Sequence, residues 1–173
     1  IKVKKKFIRL CKKNGFSGDP KSFTKISRNN LNLLMKNMNR DMNGMGLEIL
    51  NSFYKNINKL CGQNIAFQRN PYLRVNSPHL DSTATIPHND FDFGHSPSGF
   101  NIWLPLFDVE GKNGIYIMSE NDSLKIYKNF NYNQRLDDHI KKIENYKNPV
   151  KFKKKFFKLK FCESLIFSNM NIH

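Results

Sequence analysis

The chain has 173 residues, 39% of them hydrophobic and 13% aromatic. That is enough for one folded core, too little for two comfortable domains, and too aromatic for a disordered segment. The formal charge is +15, which raises the question of a nucleic-acid partner. The charge distribution argues against it. Between Ser77 and Asp122 seven carboxylates face one base, Lys112, while the basic excess sits in Lys2–Lys13 and Lys151–Lys160. A solvated lysine surface is the expectation. No run approaches the ~20 apolar residues of a membrane span, and no secretory signal follows Lys2-Val3-Lys4-Lys5-Lys6. Cys11, Cys61 and Cys162 are odd in number and lack Cys-x-x-Cys spacing, which fits reduced thiols and a cytoplasmic setting. The chain opens on Ile1 rather than Met, so a fragment of a longer protein is expected.

The first third reads as helical. Ser27-Arg28-Asn29-Asn30 offers caps, and Leu31, Leu34, Met35, Met38 and Met42 recur at three- and four-residue steps. Gly44 and Gly46 break the pattern. A second helix carries Leu47, Leu50, Phe53, Tyr54, Ile57 and Leu60 and stops at Gly62. From Ile65 the character changes. Ile65-Ala66-Phe67 and Tyr72-Leu73-Arg74-Val75-Asn76 read as short strands divided by Asn70-Pro71. Asn101–Phe107 reads as another strand, expected to pair with Ile115–Met118 across the Glu110–Gly114 turn. The spacing predicts an exposed helix over Leu136–Tyr146, a half-buried strand over Phe156–Lys160, and a short strand at Leu165-Ile166-Phe167. His79 and His139 read as surface residues. Tyr132 and its Asn-rich surroundings form an insertion of the kind that can serve as a lid.

Chemistry concentrates at His88-Asn89-Asp90 and at the distant His173. In an extended segment His88 and Asp90 point the same way, because side chains repeat every second residue. Two imidazoles and a carboxylate hold a divalent metal on one face and leave the other open, an arrangement suited to non-haem Fe(II) and oxygen. His88, Asp90 and His173 are therefore the candidate metal ligands and catalytic centre, with Asp92 as the competing carboxylate.

The order of these segments, with His88-Asn89-Asp90-Phe91-Asp92-Phe93-Gly94-His95-Ser96 followed by Asn101-Ile102-Trp103-Leu104-Pro105-Leu106, resembles the phytanoyl-CoA dioxygenase-like Fe(II)/2-oxoglutarate oxygenases. It looks most like a subgroup found in bacterial carbohydrate-biosynthesis clusters. Asn113–Glu120 and Glu163–Phe167 leading to His173 are similar to further segments of that family, although its Pro-Gly-Ser-His ending is replaced by Ser119-Glu120-Asn121-Asp122. The resemblance covers Tyr72 to His173. It implies an α+β, mainly β architecture: a double-stranded β-helix (jelly roll) over 63–173, incomplete at its C-terminal side, with helices of 1–62 packed outside, all within one domain. It implies Fe(II), 2-oxoglutarate and O2, with decarboxylation to succinate coupled to oxidation of a C–H bond in a small polar metabolite of the sugar or nucleotide-sugar class. The retained Asp90 favours hydroxylation over halogenation, since related halogenases carry a small residue there. Asn76, Trp103, Arg74 and Asn101 are the expected co-substrate contacts, and His95 and Ser96 the expected substrate contacts. The family's Arg for the distal carboxylate lies beyond its distal His and has no counterpart here. Two other readings stay open: a cupin-like metal enzyme that does not use 2-oxoglutarate, and a non-catalytic basic nucleic-acid-binding module.

Overall fold

Ser27 behaves as its sequence context predicts: its hydroxyl accepts from the Asn30 amide and starts a helix whose apolar stripe faces inward. This is seen in a computed structural model that describes residues 2–19, 22, 25–76, 80, 87–128, 130–131, 133–145, 152–161 and 163–173. His79 and Tyr132 lie outside the described residues. The chain divides into two compact units, Ile1–Ala84 and Thr85–His173.

The first unit contains α1 (Lys2–Lys13), α2 (Arg28–Asp41) and α3 (Met45–Cys61). Phe7, Leu10 and Cys11 of α1 and Leu31, Leu34 and Met38 of α2 are buried, each set at helical spacing. Lys13 Nζ bonds Asp41 at 2.8 Å, joining the C-terminal ends of α1 and α2. The break between α2 and α3 falls at Gly44, not at Gly46, which lies inside α3. Gly46 serves a different purpose. Its amide donates to the Arg69 carbonyl at 2.9 Å, and a Cβ there would stand 2.2 Å from the Gln68 oxygen.

The strands expected at Ile65–Phe67 and Tyr72–Asn76 do not form; neither stretch is part of a helix or strand. The physical reason is visible at Leu73. Its amide donates to Asn39 Oδ1 at 2.8 Å and its carbonyl accepts from Asn39 Nδ2 at 3.3 Å. A side-chain amide on α2 takes the place of a neighbouring strand.

The second unit contains β1 (Phe100–Trp103), β2 (Tyr116–Met118), α4 (Glu120–Lys128), α5 (Leu136–Glu144), β3 (Lys154–Phe156) and β4 (Leu165–Ser168). The expected hairpin between the Asn101–Phe107 and Ile115–Met118 segments is replaced by nested antiparallel pairs, β1 with β4 and β2 with β3. Pro105 has no amide to donate, so the strand stops at Trp103. Phe100↔Ser168, Trp103↔Leu165 and the bridge Val109↔Leu159 keep one register; the Gly111–Asn113 turn then shifts it before Tyr116 pairs with Phe156. Residues 100–118 and 154–168 thus run as an interrupted two-stranded ribbon.

The helices between β2 and β3 close the core of this unit. Met118, Ile126, Leu136, Ile140, Phe152 and Ile172 form one buried cluster. A nine-residue helix is marginal alone, so burial of Ile126 and Ile140, worth about 1.5–3 kcal/mol each, holds α4 and α5 in place. His139, expected on the surface, is 5% exposed. Gln134 Nε2 meets its Nδ1 at 2.8 Å and the Ile126 carbonyl meets its Nε2 at 3.2 Å, which satisfies both ring nitrogens.

Candidate metal centre

The centre is built on a pair of reciprocal backbone bonds. The His88 amide donates to the His173 oxygen at 3.1 Å, and the His173 amide donates to the His88 oxygen at 2.9 Å. Two residues that exchange both bonds form a hydrogen-bonded antiparallel pair, and their side chains leave the same face. The imidazole centroids accordingly lie 4.4 Å apart. On its other side the C-terminal segment is held by β2 and α4. Met118 N–H donates to the Ile172 carbonyl at 2.9 Å, and the Ile172 amide donates to Ser123 Oγ at 3.0 Å.

Asp90 joins the pair through a short turn. The Asp90 and Phe91 amides both donate to the Asn169 carbonyl, at 3.1 and 3.3 Å, and the Phe91–Phe93 3-10 turn starts there. Its Oδ1 lies 3.7 Å from His88 Nε2 and its Oδ2 4.0 Å from His173 Nε2. One ligand atom from each of the three residues falls within 4.8 Å of the others. Neighbouring donors on an octahedral metal with ~2.1 Å bonds stand roughly 3 Å apart. Contraction by roughly 1–2 Å, within reach of side-chain rotation, would bring the set to that spacing.

The tautomer is suited to the task. His173 Nδ1 contacts the Asn171 carbonyl at 3.1 Å, so Nδ1 carries the proton and Nε2 presents its lone pair. The Phe167 ring packs 4.8 Å from His173, and the Phe93 ring 5.4 Å from His88. Asp92, the competing carboxylate, is exposed and accepts from Tyr127 Oη at 2.7 Å instead.

The other candidate residues divide clearly. Asn101 reaches the cluster, its Nδ2 donating to Asp90 Oδ2. Trp103 is half-buried two positions further along the same face of β1. His95 and Ser96 are exposed in the loop after Asp90, with the His95 amide bonded to the Asp90 carbonyl at 3.2 Å. Arg74 and Asn76 belong to the first unit, where both are exposed and the Arg74 guanidinium stands 5.2 Å above the Tyr72 ring. Sequence reasoning missed Asn169 and Asn171. Asn169 is 6% exposed; its Nδ2 donates to the Ser96 carbonyl at 2.9 Å and its amide to Gly99 O at 3.0 Å. Asn171 Nδ2 donates to the Met118 carbonyl at 3.1 Å. The one available signal was the polar run Ser168-Asn169-Met170-Asn171 between a strand and a ligand, a composition typical of turns stabilised by side chains.

Comparison with known proteins gives a partial match. The chain is 32% identical over 80 residues to the streptomycin biosynthesis protein StrG of Streptomyces griseus, covering 43% of this chain. It spans 39% of that relative's length. No family model matches the chain, and no solved structure matches it. No helix among the described residues is long and apolar enough to cross a membrane.

Proposed function

We propose that the protein is a non-haem Fe(II)- and 2-oxoglutarate-dependent oxygenase acting on a small polar metabolite, a sugar or nucleotide-sugar by class. The observation that carries this reading is the convergence of His88, Asp90 and His173, from segments 83 residues apart, into a two-imidazole, one-carboxylate cluster. Similarity to a protein of streptomycin biosynthesis supports a biosynthetic setting. The ribbon of residues 100–118 against 154–168 is compatible with part of a jelly roll, and we propose that architecture for the complete fold.

In this reading His88 and His173 hold the metal through nitrogen and Asp90 through one oxygen. The bound metal would supply the site at which 2-oxoglutarate and oxygen react. The protein's part is arrangement. The reciprocal backbone bonds fix the imidazoles on one face, and the His173 Nδ1 bond fixes its tautomer. Phe167 and Phe93 flank the imidazoles with apolar surface. Trp103 lines the co-substrate side, and His95 and Ser96, in the exposed loop, contact substrate.

Anaerobic addition of Fe(II) and 2-oxoglutarate should produce a weak visible charge-transfer band that His88→Ala abolishes. Succinate formation should accompany turnover. Metal binding without the band or succinate would favour a cupin-like enzyme, and no metal binding at all would remove the oxygenase reading.

A further inference from the structure

Asn101 occupies the second position of β1, directly opposite Phe167 of β4. Cross-strand partners stand on one face of a sheet, and the Phe167 ring is in contact with the His173 ring. The half-buried Asn101 side chain is therefore on the same side as the ligand cluster, and its Nδ2 donates to Asp90 Oδ2. The opposite amide orientation would set two acceptors against each other, because a carboxylate has nothing to donate. The geometry points to Asn101 as a positioning residue that makes Asp90 a one-oxygen ligand, an inference that rests on the metal reading above. By engaging Oδ2 it leaves Oδ1, the oxygen nearer His88 Nε2, free for the metal.

The consequence concerns how many positions the metal keeps. An octahedral ion held by two imidazoles and one oxygen retains three, enough for a two-toothed keto acid and one further small ligand. A carboxylate spending both oxygens would remove one of these. Asn101 thus acts on the co-substrate's room through Asp90 rather than by touching the co-substrate. The hydrogen bond from Asn101 also holds the carboxylate at a fixed rotation, so less ordering is needed when the metal binds.

The test uses Mn(II) as a probe, with affinity read by titration and electron paramagnetic resonance on the intact protein. Asn101→Leu should weaken binding about 10–100-fold, the usual effect of removing a bond to a metal ligand, while thermal unfolding reports retention of the fold. Asn101→Ser, which keeps a small polar group on the strand, is measured alongside and should lose affinity in the same direction. In an Asp90→Ala background the same substitutions should change affinity by less than about threefold, since a residue acting through Asp90 has nothing left to position. Unchanged affinity in both single variants, or equal losses in the two backgrounds, overturns the inference while leaving the metal centre intact. Absence of Mn(II) binding by the unaltered protein, or binding that survives His88→Ala, overturns the metal reading and this inference with it.

Discussion

Replacing Gly99 with alanine probes how tightly the ligand turn is built. A Cβ at this position would stand 2.2 Å from Asn169 Nδ2 and 3.1 Å from the Ser96 oxygen. Relief requires the Asn169 side chain to withdraw by more than an ångström, which breaks its 2.9 Å bond to the Ser96 carbonyl. Asn169 is 6% exposed, so the freed amide finds little water. Loss of a buried bond costs about 1–3 kcal/mol, and a strained rotamer adds roughly 1 kcal/mol, giving an expected destabilisation of about 2–4 kcal/mol. The disturbance should reach the metal site, because the Asn169 carbonyl anchors the Asp90 and Phe91 amides. Hydrogen exchange of those two amides and urea unfolding are the readouts. In an Asn169→Ala background the added methyl no longer meets Nδ2, and its further cost should fall below about 1 kcal/mol. Unchanged protection at Asp90 in the single variant, or full additivity in the double, would refute the reasoning.

Ser123→Ala should orphan the Ile172 amide, whose residue is fully buried. A loss of about 1–3 kcal/mol in unfolding free energy is expected, with weaker Mn(II) binding because His173 is adjacent. Burial, aided by the Glu144 charge, pushes the Tyr116 phenol from 10.0 to about 12. A raised folded-state value leaves stability intact below pH 10 and erodes it as pH climbs toward 12, because the unfolded chain releases its proton first. Tyr116→Phe should flatten that alkaline decline in unfolding curves; its hydroxyl has no partner among the described residues, so the change should cost little at neutral pH. Cys61 is exposed, whereas Cys11 is buried with its thiol pushed up to about 11. Iodoacetamide at mildly alkaline pH should modify Cys61 well before Cys11, as read by peptide mass spectrometry.

Local pattern was enough for the features that depend on local physics. The three- and four-residue apolar steps of Leu31, Leu34 and Met38 announce α2, because helix amphipathicity is written within a dozen residues. The His-x-Asp spacing announces a candidate pair but not how it is assembled: Asp90, at φ −81° and ψ −17°, opens a 3-10 turn, so the alternation expected of an extended chain is not what brings it to His88. Pairing is another matter. The choice of β4 over the Ile115–Met118 segment as the partner of β1 is a competition between distant segments, and sequence proximity pointed to the wrong one. At Leu73 a side-chain amide from α2 outcompeted any strand, which no propensity expresses. His139 carries no mark of burial in its neighbours; the Ile126 carbonyl and Gln134 amide that make burial tolerable are supplied by the folded unit.

By itself, then, the sequence determined α2 and α3 but not α1, and singled out His88, Asp90 and His173 as a candidate set. Only tertiary structure decided that His173 lies backbone-to-backbone with His88, and that Asn101 spends its amide on Asp90. The reason is physical: a residue's type limits which bonds it can make, whereas long-range hydrogen bonds choose among partners by which segments the buried core of Met118, Ile126 and Ile172 brings together.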